Sequence, residues 1–376
     1  MGFTQKLMKV IETDIFSKLR WEGFWLMIKG KRFLSSVLTA LVLTITLGVS
    51  SVYAASVSRT DGGDGGRIGT ADNVAINLFG KASNVILVNG YGYADSVSAT
   101  ALSKLLNAPI LLTADGNALE PEVAQTIQSL GASKVYIVGG TGVVSEAIEN
   151  ALRANYSVER IAGITDTTKM GTNAAVAQKV LSLSGKKTAI LVNGQDGYAD
   201  ALSVASIAAQ KGYPVLFSTS IGIAPAVKDV ISSNGLSVLA VGGEGVLPQS
   251  VVDSVKGTRI TENVSDRFAT NLAVLDYFKQ NGGLDFSNVY VAAGGATDDE
   301  FADALVASAA AAKTGSPLVL AGVGSNSDQI TNAENYIFKN ASSDSNFVIV
   351  GGTASVPDTI ESDLQQGSTL EVVNVQ

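Results

Sequence analysis

Three stretches of this chain carry the same landmarks in the same order, about one hundred residues apart, and that repetition constrains the fold more than any other feature. In each copy an apolar run closes in Gly and leads to an aromatic-Ala-Asp element. These are Val85–Gly90 with Tyr93-Ala94-Asp95, Ala189–Gly194 with Tyr198-Ala199-Asp200, and Val289–Gly294 with Phe301-Ala302-Asp303. The Asp residues fall 105 and 103 residues apart. In phase with them come Pro109–Thr113, Pro214–Ser218 and Pro317–Leu320, then strand-like runs ending in Gly139-Gly140, Gly242-Gly243 and Gly351-Gly352. Basic residues recur as well: Arg59, Arg160 and Arg259, followed by Arg67, Lys169 and Arg267.

Within a copy, short continuous apolar runs read as strands buried on both faces, and the segments between them carry Ala, Leu and Val at helical spacing. Residues 95–106 and 119–130 are two such helices of the first copy. Strand and helix alternating in this way, with right-handed crossovers, predict a small doubly wound parallel sheet per copy. The expected protein is α/β, with tandem repeats over 55–156, 157–256 and 257–376 behind a leader of residues 1–54. The linkers carry no Pro- or Ser-rich spacer, so the repeats are expected to pack together. At 46% hydrophobic and 16% charged residues, the chain has the apolar content to bury such cores and is not of the disordered class.

The leader holds a strongly apolar run, Phe33–Val49, preceded by Lys29, Lys31 and Arg32 and followed by small residues through Ala54-Ala55. A basic segment, an apolar segment and a small-residue cut site make a secretory signal peptide, with cleavage expected after Ala54. A retained membrane anchor is the alternative, since the run is at the lower limit for spanning. Met27 in Met-Ile-Lys-Gly-Lys-Arg is a second candidate initiator. Removing residues 1–54 takes away seven basic and three acidic side chains and leaves a net charge of −12. Such an acidic chain is a poor candidate for nucleic-acid binding or for adhesion to an anionic membrane.

The chain has no Cys and no His. That excludes Ser-His-Asp and Cys-His catalysis, zinc held by thiolate or imidazole, and CxxC redox chemistry. The loop Gly90-Tyr91-Gly92-Tyr93-Ala94-Asp95 begins like a dinucleotide-binding fingerprint but has Asp where the third Gly belongs, and no copy completes it. Its plainer reading is a tight turn followed by a helix N-cap at Asp95, Asp200 and Asp303. The Gly-Gly pairs read as turns that need positive φ, in places where backbone amides at a helix start also attract anions. Two readings fit the recurring basic residues: ion pairs that lock adjoining units, or recognition of an anionic group. Asp298-Asp299-Glu300 occurs in one copy only, in a loop of varying length, and reads as a solvated tip.

Together the landmarks resemble the cell wall binding repeat 2 family of Gram-positive surface proteins. Arg160-Ile161-Ala162-Gly163 and Asp266-Arg267-Phe268-Ala269-Thr270 match the first part of its pattern. Asp200-Ala201-Leu202, Asp303-Ala304-Leu305 and Pro109–Thr113 match the later parts. The resemblance runs from about residue 57 to 370. Departures include Asp95-Ser96-Val97 in the first copy, Lys169 for Arg in the second and Arg259-Ile260-Thr261-Glu262 in the third.

The resemblance implies Rossmann-like subdomains in a pseudo-threefold arrangement, without cofactor or metal. It also implies an exported, non-catalytic module held non-covalently to an anionic secondary wall polysaccharide at the cell surface. It associates anchoring with the Pro-Ile-Leu-Leu element, here Pro109, Ile110, Leu111 and Leu112, then Pro214, Val215 and Leu216, then Pro317, Leu318 and Val319. Those segments and the six recurring basic residues are the candidate polymer contacts. The mature chain is expected to be the binding module itself. A contact modifier of a wall amidase and a Rossmann-type nucleotide or sugar-phosphate enzyme are the alternatives. Oligomeric state and the identity of the polymer stay open.

Overall fold

A computed structural model describes residues 56–195, 198–297 and 299–373, so the leader and Asp298 lie outside the described residues. The first repeat runs β1 (Ser56–Thr60), α1 (Gly66–Val74, continued by a π-helical turn over Ala75–Phe79), β2 (Asn84–Asn89), α2 (Tyr93–Leu106), β3 (Ile110–Thr113), α3 (Pro121–Leu130), β4 (Lys134–Val138) and α4 (Glu146–Arg153). The second runs β5 (Ser157–Ile161), α5 (Lys169–Ser184), β6 (Thr188–Asn193), α6 (Ala199–Lys211), β7 (Val215–Ser218), α7 (Pro225–Asn234), β8 (Ser237–Ala240) and α8 (Gln249–Asp253). The third runs β9 (Thr258–Arg259), α9 (Arg267–Gln280), β10 (Asn288–Ala292), α10 (Ala302–Thr314), β11 (Leu318–Leu320), α11 (Ser327–Asn340), β12 (Asn346–Val350) and α12 (Asp358–Val373). Among the described residues no helix is long and apolar enough to cross a membrane.

The strands form separate four-stranded parallel sheets in the orders β3-β2-β4-β5, β7-β6-β8-β9 and β11-β10-β12-β1. This is the expected α/β architecture of tandem repeats, with one addition that the repeat spacing does not announce. The fourth strand of every sheet comes from the next repeat, and for the third sheet the next repeat is the first. Register is the same at each junction: Arg160 pairs with Ile137, Arg259 with Ala240 and Arg59 with Ile349. These partners hold equivalent places in their repeats. The covalent repeat and the folded layer are therefore offset by one strand, and the β1–β12 pairing closes the set into a ring.

The middle of the ring is helical. Helices α2, α6 and α10 pack on one another, and each is built mostly from Ala, Ser, Thr and Val. Small side chains on every face suit a helix that is buried all round and must approach its neighbours closely. The first helix of each repeat lies on the central helix of the preceding one: α5 on α2, α9 on α6 and α1 on α10. Buried apolar residues from all three repeats form one continuous cluster.

The outer edges of the sheets show why the Pro-Ile-Leu-Leu elements look alike. They are β3, β7 and β11, every residue of which is buried. Pro opens each of them and donates no hydrogen bond. Its carbonyl instead accepts from Ile86, Ile190 or Tyr290 of the neighbouring strand. An edge strand still presents unpaired backbone groups on its outer side. In two repeats a helix side chain takes the place of the missing strand. The Asn173 amide donates to the Val215 carbonyl at 2.8 Å and accepts from the Phe217 N–H at 2.9 Å. Asn271 does the same with Leu318 and Leu320, both at 3.0 Å. The first repeat has Ala71 at this position.

Replacing Asn173 by Ala strands a buried N–H and a buried C=O. The expected loss is roughly 2–4 kcal/mol, read by denaturant unfolding. Asn271→Ala should cost a similar amount, and a change within error at both sites would contradict this role for the amides.

Candidate functional site

The functional landmarks converge on the seams where one repeat meets the next. The first basic residue of each repeat lies on the donated strand. Arg160 gives its Nε to Glu149 at 2.6 Å and its Nη1 to the Gly139 carbonyl at 2.8 Å. Arg59 makes the same pair of contacts across the ring closure, with Glu361 and the Gly351 carbonyl, both at 2.9 Å. Arg259 meets the Gly242 and Leu247 carbonyls and reaches Gln249 where the other seams have an acid. Only 11% of the Arg59 side chain and 13% of the Arg160 side chain are exposed, so these are near-buried clamps. Burial pushes the Glu149 carboxyl up, but hydrogen bonds from Arg160 and Arg153 prevail and hold it below the usual range. At Arg59 and Arg160 the geometry is that of ion pairs between adjoining units, and at Arg259 the same seam is held through neutral partners.

The second basic residue of each repeat opens the helix that lies across the seam. Arg267 donates through Nη1 to the Gly294 carbonyl at 2.9 Å and the Gly295 carbonyl at 2.7 Å, and stands 5.3 Å from the Tyr198 ring centre. Lys169 lies 5.4 Å from the Tyr93 ring centre and donates to the Gln195 carbonyl at 3.3 Å. Arg67 donates to the Gly90 carbonyl at 2.8 Å and stacks on Tyr91, 4.6 Å from its ring centre. These side chains hold the Gly-rich loop of their own repeat, and in two copies they hold it against the aromatic residue of the preceding one.

Those aromatic residues meet at the centre. Tyr93, Tyr198 and Phe301 start the three central helices, and their ring centres are 5.7, 5.8 and 6.4 Å apart. The rings touch by tilted and edge contacts, the geometry aromatic pairs favour. The tyrosine hydroxyls also reach the next repeat: Tyr93 donates to the Gln195 carbonyl at 3.0 Å and Tyr198 to that of Thr297 at 2.5 Å.

The Asp residues are not helix N-caps. The caps are Gly92, Tyr198 and Phe301, none of which caps through a side chain, and each Asp sits in the first helical turn. Its carboxylate points instead into the seam. There it packs on the first Gly of the Gly-Gly pair, where φ is +119°, +120° and +116° and a methyl group would overlap the carboxylate. A Thr of the next repeat stands by each carboxyl and pulls its pKa down: Thr172 at Asp95, Thr270 at Asp200, and Thr70 at Asp303, where Ser355 of its own repeat pulls more strongly. The threonines stand three residues after the second basic residue. They were visible in the Asp-Arg-aromatic-x-Thr pattern but carry no meaning without the seam that joins them to an Asp.

Burial pushes Asp95 up to about 6 against the pull of Thr172 and Lys169. It pushes Asp200 up to about 6 against Thr270 and two arginines, and it raises Asp303 as well.

Two seams open into clefts. That between the third and first repeats has a volume of 540 Å³ and is lined by Asp61, Arg67, Thr70, Asp299, Glu300, Asp303 and Gly352–Ser355, among others. That between the second and third has 440 Å³ and is lined by Asn193, Asp200, Gly243–Val246, Val264–Arg267 and Thr270, among others. Both lie at the carboxyl ends of parallel strands, where ligands of doubly wound sheets bind. The structure thus brings Arg67 and Arg267 to the cleft walls, together with the Gly-Gly turns. It places the Pro-Ile-Leu-Leu side chains in the core. In the fold they are the buried edge strands of the three sheets.

The fold is thus a repeated α/β unit closed into a ring, with clefts at two of its seams. The chain belongs to the Cell wall binding domain 2 (CWB2) family, whose profile matches residues 59–149, 160–252 and 264–361. It is similar to N-acetylmuramoyl-L-alanine amidase LytC of Bacillus subtilis (strain 168), with 31% identity over 88% of this chain and 62% of that protein. It is also similar to an amidase enhancer of the same organism, with 26% identity over 84% of this chain and 42% of that protein. Among solved structures, Cwp8 from Clostridium difficile aligns with a TM-score of 0.69 and 25% identity over 90% of this chain and 55% of that one. Cwp6 from the same organism shares the fold, with a TM-score of 0.70 and 24% identity over 83% of this chain and 48% of that one. The chain therefore spans less than two thirds of these relatives' lengths.

Raised carboxyl pKa values fix the sign of the pH response. The folded state holds these protons more tightly than the unfolded chain, whose carboxyls titrate near pH 4. The protonated seams therefore stabilise most below about pH 4 and lose that contribution as pH rises through about 6. Glu149, Glu159 and Asp266 are held low and act only at the acid end. The melting temperature is expected to fall between about pH 5 and pH 7.5, and Asp95→Asn should flatten the slope. A melting temperature that rises over this range would contradict the assignment.

Proposed function

We propose that this chain is an exported, non-catalytic wall-binding module that holds a secondary wall polymer, anionic in overall charge, at the cell surface without a covalent bond. The observation that carries the reading is the match of the CWB2 family at each of the three repeats. The ring supports it, because it offers related clefts at successive seams on one rigid body. A repetitive polymer that engages more than one of them gains avidity through effective concentration, which suits retention on a wall. Arg67, Lys169 and Arg267 are the basic residues proposed to shape the binding surface. Arg59, Arg160 and Arg259 are proposed to hold the seams together.

The similarity to an amidase and to an amidase enhancer favours a second reading, in which the module also brings a wall hydrolase or its modifier to its substrate. Amidase activity on purified walls, measured with and without this protein, separates that role from simple retention.

The mature protein should co-sediment with purified Gram-positive walls and be lost from the pellet once the secondary polymer is stripped. Undiminished sedimentation with stripped peptidoglycan would contradict the proposal.

A further inference from the structure

The clefts are unusual places to hold an anion. In the larger one, Asp299, Glu300 and Asp303 outnumber Arg67, which is already bound to the Gly90 carbonyl and covered by the Tyr91 ring. In the smaller one, Asp200, Glu244 and Asp266 face Arg267, whose Nη1 lies on two loop carbonyls. Arg59 and Arg160, which recur in phase, are near-buried clamps. The chain as a whole is acidic, with a net charge of −8 before any leader is removed. A phosphate or carboxylate entering either cleft meets like charge, which costs rather than contributes binding energy.

What the clefts and their rims do offer is a pairing of carboxylate acceptors with exposed apolar surface. Glu244 is exposed beside Val246, itself 46% exposed, on the wall of the smaller cleft. At the rim of the larger cleft, Tyr91 is 51% exposed and stacks on Arg67, which lines the cleft while Tyr91 itself does not. A carboxylate accepts hydrogen bonds from hydroxyl groups, and an aromatic or aliphatic side chain covers an apolar C–H face. Both features complement one chemical class, an uncharged sugar ring, and neither complements a phosphate.

From this, and resting on the wall-binding reading above, we infer that the clefts grip the polymer by the neutral hydroxyl face of its sugars, while its anionic groups point away into solvent. Charge on the polymer then keeps the chain out of the clefts except in the orientation that hides it. Recognition is by hydrogen bonding and stacking, and the seams read sugar identity rather than charge.

The test is sedimentation of the mature protein with purified walls across a salt series from about 0.05 to about 1 M, where screening removes binding driven by surface charge. Binding through neutral sugar faces is expected to hold within about twofold over this range and to resist competition by inorganic phosphate at matched ionic strength. Two substitutions sharpen the outcome. Glu244→Gln keeps the shape of the side chain but weakens the acceptor, and should lower wall binding several-fold. Tyr91→Ala should also lower it several-fold with the melting temperature unchanged. Binding that collapses with salt, or that rises in Glu244→Gln, overturns the inference and leaves wall binding intact. Absence of the protein from the wall pellet at the lowest salt overturns the wall-binding reading itself.

Discussion

Everything in this molecule depends on the donation of one strand from each repeat to the sheet of the repeat before it. The strand brings an arginine whose guanidinium joins the Gly-Gly carbonyl to a helix carboxylate or amide of the receiving repeat. The helix that follows the strand brings a threonine to the buried Asp and lays its first turn across the Gly-rich loop. Parallel pairing, charge-assisted hydrogen bonds and helix packing thus act on the same seam. The ion pair matters most as a constraint on register. A slip of one residue would turn Arg160 away from Glu149 and leave a near-buried charge without its partner, a far larger cost than any exposed pair could supply.

The seams are related but not identical. β9 is only two residues long, and Arg259 finds Gln249 instead of an acid. The ring closure is made by β1, and Arg59 there reaches Glu361 with Asp358 nearby at 3.6 Å. The third repeat replaces the Asn found at positions 89 and 193 with Ala293, and its loop carries Glu300, which accepts from the Ala296 and Thr297 amides at 2.6 and 3.1 Å. That exchange accompanies the larger of the two clefts.

Much of the scaffold was legible in the sequence because repeated burial leaves a repeated pattern. Strands covered on both faces read as unbroken apolar runs, and the segments between them carry Ala, Leu and Val at helical spacing. Contacts between repeats were harder to read. Asp95 carries the composition of an N-cap, and only the neighbouring Gly139 and the distant Thr172 reveal why it is buried. Pro109–Thr113 recurs because it is an edge strand that must be covered, and recurrence alone does not separate such a constraint from a contact surface. The aromatic triad has the same history: Tyr93, Tyr198 and Phe301 mark the repeats in sequence, but their meeting on one axis follows from the ring. Arg59, Arg160 and Arg259 were open to two readings, and their contacts across the seams are visible only once the sheets are assembled.

The central claim is that three repeats share one structure and do not fold as beads on a string. Scanning calorimetry of the mature chain tests it most directly. A closed ring with a single core cluster predicts one cooperative transition whose calorimetric and van't Hoff enthalpies agree. Three separable transitions, or a calorimetric enthalpy about three times the van't Hoff value, would contradict it.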